Sequence, residues 1–132
     1  MSQTHGTVHW SELTTPDVPK ALAYYGDVCG WTFDMMPMPE GDYHIGMLGE
    51  TPMAGIMGME AVPEGTPPHW LTYLAVDDVD KAVAQTRAAG GQIYRDCFDV
   101  QGVGRFAIVA DPTGAAVGLI TPSDEPMEEG SF

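Results

Sequence analysis

The sequence predicts an α+β fold: two βαβββ modules forming a cupped, eight-stranded mixed sheet with two helices. The first observation behind this is an internal repeat. "LTTPDVPKALA", from Leu13, and "LAVDDVDKAVA", from Leu74, share Leu, Asp, Val, Lys, Ala and Ala in register, with Asp17 and Asp78 standing 61 residues apart. The second is that each repeated segment is followed by three short apolar runs of strand length. A small sheet with one apolar face needs cover, so the two modules are expected to pair about a pseudo-two-fold axis. A cup lined by strands is a natural ligand cavity.

The elements follow in order. An alternating strand is expected over Val8–Thr14, then a helix over Val18–Gly26 opened by Asp17, whose carboxylate suits free N–H groups at a helix start. Pro16, just before it, has a fixed φ that helps begin the turn. Strands over Trp31–Asp34, Tyr43–Leu48 and Met53–Met59 complete the first module. The segment "AVPEGTPP", rich in turn formers, joins the modules. The second module reads as a strand over His69–Val76, a helix over Val79–Ala89 stopped by "AAGGQI", and strands over Gln92–Phe98, Arg105–Ala110 and Ala115–Ile120. "ADPTGAA" marks the turn before the last strand. The domain is expected to span 1–125, with repeats at about 7–60 and 68–121. An acidic disordered tail, 126–132, is expected to follow. "MMPMPEGDYH" makes a poor strand and reads either as a flexible apolar cover over a pocket or as filling for a core gap or dimer interface.

Composition narrows the function. Nineteen acidic residues against five basic ones give a net charge of −14. That balance opposes nucleic acid and anionic membrane surfaces, and it favours approach of a cationic small molecule. No apolar run reaches the ~20 residues needed to span a bilayer, and "MSQTHGTVHW" lacks the pattern of a secretory signal, so a cytoplasmic location is expected. Cys29 and Cys97 form no CxxC pair, and Cys29 is expected to be a buried apolar thiol. No Walker loop, GxSxG or dinucleotide fingerprint is present.

The duplicated pattern, with "ELTTPDVPKALAYYGDVCGW", "HWLTYLAVDDVDKAV", "AAGGQI" and "GRFAIVADPTGAAVGLI", resembles the vicinal oxygen chelate superfamily, which includes glyoxalase I, extradiol dioxygenases and bleomycin resistance proteins. Within it, the chain is most similar to glyoxalase-related bacterial proteins. The resemblance implies the glyoxalase/bleomycin resistance fold, a homodimer and a small-molecule ligand. It also implies, in metal-dependent members, ligands on the first and last strand of each module. Those positions align with Trp10, Met57, Leu71 and Gly118. Trp, Leu and Gly offer no donor to a hard or borderline cation, and a Met thioether prefers soft copper. No metal ligand and no cofactor is therefore predicted, with a divalent metal kept as the minor alternative.

Strand parity then selects the cup residues. His9 and Glu12 are three apart and point to opposite faces, so they do not form one metal site. If Trp10 faces inward, so do Glu12 and Thr14, and by the repeat so do Leu71 and Tyr73, while Leu13 and Leu74 face the helices. Glu12 and Tyr73 are repeat partners and are the candidate catalytic pair, a carboxylate acid or base with a phenol donor. Trp10, Thr14, Met57, Leu71 and Arg105 are the candidate ligand-binding residues, with Trp10 as a stacking wall for a planar or cationic ligand. Arg105 either binds an anion or pairs with surplus carboxylates, and its repeat partner on the same offset is His44. His69 reads as a structural ring, and His5 is expected in a mobile terminus. Two functions remain: a metal-independent binding protein of bleomycin-resistance type, or a lyase, isomerase or dioxygenase/hydroxylase of the same superfamily. The weaker third is a ligand-sensing module.

Overall fold

The structure is a computed structural model that describes residues 4–39, 41–60, 62–100 and 102–123. The expected acidic tail lies outside the described residues. The chain packs as two compact units, Trp10–Leu71, and Met1–His9 with Thr72–Phe132.

In the first unit the elements are β1 (Val8–Thr14, from Trp10 onward), α1 (Val18–Cys29), β2 (Thr32–Met38), β3 (Gly41–Leu48) and β4 (Thr51–Met57). Their strand order is β2-β3-β4-β1, with β1 parallel to β4 and the other pairs antiparallel. In the second, β5 (His69–Ala75, from Thr72 onward), α2 (Val79–Ala88), β6 (Gln92–Val100), β7 (Gly104–Ala110) and β8 (Ala116–Pro122) follow. The order there is β5-β8-β7-β6, with β5 parallel to β8. Each unit is thus a βαβββ module with a mixed sheet, as the repeat predicts.

Local chemistry starts and stops these elements as expected in most places. Asp17 Oδ1 accepts from the Lys20 amide at 3.1 Å, and Asp78 Oδ1 accepts from the Lys81 amide at the same distance. Asp111 Oδ1 closes the "DPTG" turn by accepting from the Thr113 amide and hydroxyl and from the Ala115 amide. Gly30, at φ 73°, ends α1 by donating its amide to the Gly26 carbonyl.

Three expectations are corrected. Helix α1 continues past Gly26 because the left-handed stop is Gly30, and Cys29 in that last turn is exposed, not buried. Met35–Met38 are not a flexible cover but the second half of β2. Pro37 is tolerated there because β2 is the outermost strand of its unit, where a missing N–H breaks no inner ladder. His5 is not in a mobile terminus: its Nδ1 accepts from the Asp77 amide at 2.8 Å.

The core of the second unit is Val79 and Val83 of α2 against Ala107, Val109 and Leu119, with Leu74 packed beside them. In the first unit Leu13, Ala54 and Ile56 are buried on the alternate face from Glu12. Leu13 shares a shallow groove of about 340 Å³ with Ala21, Tyr24 and Tyr25 of α1. Both leucines therefore turn to their helices, as parity requires.

The repeat offset is not constant. Glu12 pairs with Gly55 in the first unit and Tyr73 pairs with Gly118 in the second, so Gly55 and Gly118 are counterparts 63 residues apart. β6 is two residues longer than β2, with register irregularities on either side of Arg95, and its link to β7 is one residue longer than the β2–β3 link, while the run from the helix start to β6 is one residue shorter than that to β2. Such bulges insert residues without changing the sheet. Gly118 therefore matches Gly55, not Met57, and Met57 matches Ile120. Tyr43 likewise matches Phe106, and Arg105 matches Asp42, not His44. The shift of two preserves parity, which is why the faces were read correctly.

Candidate functional site

On β1, Trp10, Glu12 and Thr14 share one face by alternation, and the β1–β4 register brings Gly55 and Met57 to that face. Through the β3–β4 and β2–β3 registers, Tyr43, Ile45, Asp34 and Met36 join it. Four of the predicted residues, Trp10, Glu12, Thr14 and Met57, therefore stand together. Leu71 is buried on the same alternation of β5 as Tyr73.

A hydrogen-bonded chain runs across this face. Trp10 Nε1 donates to Tyr43 Oη at 2.8 Å, and Tyr43 Oη donates to Glu12 Oε2 at 2.8 Å. Tyr43 is 7% exposed, while Trp10 and Glu12 are half-buried. Tyr43 reaches Glu12 from β3 because β4, which lies between them, carries no side chain at Gly55: a Cβ built there would overlap the phenol Oη and Cζ. Burial of a phenol and a carboxylate side by side is tolerable because each satisfies the other.

The second unit keeps the bare glycine but covers it with a ring from β5, the counterpart of β1, where the first unit uses β3. A Cβ built on Gly118 would overlap the Tyr73 ring, which meets Phe106 edge-on at 5.7 Å between centroids. Phe106 in turn stacks on Phe98 at 5.5 Å, and the Arg95 guanidinium lies 3.8 Å from the Phe98 centroid. Tyr73 thus occupies the register position of Glu12, but in the other compact unit and in an aromatic row. Within the first unit, the Tyr43 phenol touches Glu12.

Arg105 alternates with Phe106 and so turns to the helix side of its sheet. Its Nε and Nη2 donate to the two Asp80 oxygens at 2.9 and 3.0 Å, and its Nη1 donates to Asp99 at 3.0 Å. This is the pairing with surplus carboxylates, not an anion site on the Tyr73 face. The guanidinium beside it holds the Asp80 carboxyl below the usual range. His69 Nδ1 lies 2.9 Å from the Pro67 carbonyl, in keeping with a structural ring.

Tyr43 was missed at sequence level because an offset of 61 carries it onto Gly104, which has no side chain to compare. Its signal was parity: Tyr43 and Ile45 alternate on the Glu12 face, beside a bare glycine.

The metal positions implied by the resemblance do not fit a divalent cation. Trp10, Leu71 and Gly118 carry no lone-pair donor, Met57 is a soft thioether, and the register counterpart Gly55 adds nothing. Among the described residues, no three His, Cys, Asp or Glu side chains are grouped to hold an ion.

Duplicated βαβββ modules, mixed sheets and a side-chain cluster on one sheet face define a protein of the glyoxalase-like fold. The chain belongs to the Glyoxalase/Bleomycin resistance protein/Dioxygenase superfamily, whose family model matches residues 7–119. It is 43% identical over 117 residues to "Putative glyoxylase CFP32" of Mycobacterium tuberculosis, covering 86% of this chain and 45% of that protein. It is 33% identical over 124 residues to "Anthracycline biosynthesis protein DnrV" of Streptomyces peucetius, covering 84% and 45%. The chain therefore spans about half the length of the curated relatives it matches. Methylmalonyl-CoA epimerase from Mycobacterium tuberculosis superposes with a TM-score of 0.63 at 16% identity, covering 93% of each chain, which shows the shared fold. No helix among the described residues is long and apolar enough to cross a membrane.

Proposed function

We propose that this chain binds a small organic molecule on the Trp10–Glu12 face of its first unit, without the usual metal. The observation that carries this reading is the chain from Trp10 through Tyr43 to Glu12, which sets an oriented carboxylate beside an indole wall. Trp10 supplies stacking surface, Met57 an adaptable apolar contact and Glu12 the anionic group, a combination suited to a planar or cationic ligand. A net charge of −14 adds long-range attraction for a cation. The likeness to an anthracycline biosynthesis protein makes planar polycyclic compounds the first ligands to test. The reading includes a cytoplasmic homodimer.

The second reading is an enzyme of lyase or isomerase type, with Glu12 as general base and a tyrosine hydroxyl as donor to a developing oxyanion. It is favoured by the direct contact of a carboxylate and a phenol. That hydroxyl is offered by Tyr43, which is bonded to Glu12, or by Tyr73, the repeat partner of Glu12.

Metal analysis and a thermal-shift screen test the first reading. Purified protein without stoichiometric Ni, Zn, Fe or Mn, stabilised by a planar cationic compound such as an anthracycline, supports it. Tightly held stoichiometric metal, or no shift with the cationic set, overturns it. Glu12→Gln is expected to abolish the ligand-induced shift. Turnover of the bound compound by wild type and not by Glu12→Gln establishes the enzyme.

A further inference from the structure

Glu12 does not stand alone in its sheet: its orientation depends on a residue that reaches it from two strands away. Tyr43 on β3 crosses β4 at Gly55, accepts from Trp10 Nε1 and donates to Glu12 Oε2. The hydroxyl has one proton to give. With the indole N–H occupying a lone pair, that proton is directed to the carboxylate. The ring is 7% exposed and held in place by packing, so the hydroxyl is a fixed point and the carboxylate is the group it restrains.

This arrangement is specific to the first unit. In the second, the same three register positions carry Tyr73, Gly118 and Phe106. The glycine is kept and an aromatic ring still fills the space above it, but none of these three positions carries an acid. There the ring over the glycine is Tyr73, at the register position of Glu12, and Phe106, at the position of Tyr43, meets it edge-on. Aromatic packing at the Tyr43 position needs no hydroxyl, so packing does not account for one aimed at a carboxylate.

We propose that Tyr43 is the positioning and specificity-determining residue of the site: it holds the Glu12 carboxylate in a fixed orientation, so that this face selects a protonated amine carried on a planar apolar body over the matching neutral amide. The inference rests on the proposed binding function and deepens it by naming the ligand class. The protonated amine meets the carboxylate, and the planar body meets Trp10. A neutral amide of the same shape retains the stacking and loses the charge pairing.

The test uses the full chain and two probes, naphthylmethylamine and its N-acetyl derivative, titrated by calorimetry against wild type and Tyr43→Phe. Wild type is expected to prefer the amine by about tenfold or more, the range of a hydrogen bond to a charged group. Tyr43→Phe keeps the ring over Gly55 and is expected to lose most of that preference while binding the N-acetyl probe within about twofold of wild type. A purely structural role would weaken both probes together and leave their ratio unchanged, and that result overturns the proposal. Should Tyr43→Phe fail to fold, Trp10→Phe removes the donor to the hydroxyl, and its selectivity is expected to fall in the same direction. An unchanged ratio there also overturns the proposal. Wild type binding both probes equally overturns this inference alone, whereas wild type binding neither overturns the proposed function with it.

Discussion

Gly55 lies beneath the Tyr43 ring, and the space a Cβ would occupy is taken by the phenol that bonds Glu12. The same relation links Gly118 to Tyr73 in the second unit. A residue with no side chain is thus what allows one strand's aromatic group to reach across another.

Gly55→Ala is therefore expected to destabilise the protein by about 1–3 kcal/mol through overpacking. Urea unfolding checks this: a lower midpoint with an unchanged slope is the expected result. An unchanged midpoint would mean that Tyr43 moves aside at no cost.

Ile56, next along β4, is 0% exposed on the helix side of the sheet. Ile56→Ala is expected to cost about 2–5 kcal/mol by leaving a cavity. Val28 on α1, 62% exposed, is the control. Val28→Ala is expected to stay within about 0.5 kcal/mol of wild type in the same unfolding experiment.

Burial pushes the His9 imidazole below its ordinary 6.5, so the folded protein resists its protonation. Its contribution is present above pH 6.5 and is lost as pH falls from there toward the lowered folded value. Asp80, Asp96 and Asp111 are held below the ordinary 3.8, led respectively by hydrogen bonds from Arg105, the Cys97 amide and Thr113. Their contributions persist above that value and are lost as pH falls through the folded ones. Melting temperature should accordingly drop on acidification in two stages. His9→Gln is expected to flatten only the upper stage, and an unaltered upper stage would remove His9 as its source.

Arg105→Ala removes both ion pairs to Asp80 and Asp99 on the helix side of the second unit. Melting temperature is expected to fall slightly, and Arg105→Lys is expected to recover only part because it lacks the forked geometry. Ligand-induced stabilisation should be unaffected by either, since the Trp10–Glu12 face belongs to the other unit. Loss of that stabilisation would restore Arg105 as a binding residue.

Much of the fold was legible because its signals are local. The Asp17 and Asp78 caps, the "DPTG" turn and strand alternation depend on residues a few positions apart, and the repeat doubles each of them. The exceptions each had a rival reading that local pattern does not settle. Met35–Met38 looked unlike a strand until an outer position excused Pro37, and Cys29 looked buried until Gly30, not Gly26, ended the helix.

The βαβββ duplication, the faces of β1 and β5, and the unsuitability of Trp10, Leu71 and Gly118 as metal ligands could be read from the amino-acid sequence alone. Period-two alternation and side-chain chemistry decide those matters without reference to distant contacts. Only the tertiary structure decided that Glu12 is partnered by Tyr43 and that Arg105 turns away to Asp80 and Asp99. A longer β6 with bulges around Arg95 and one extra link residue, less one residue in the helical segment before them, shift the repeat from 61 to 63 positions, and a sequence offset cannot show where the chain absorbs them. The reach of Tyr43 across Gly55 depends on strand order, which is a property of the folded sheet.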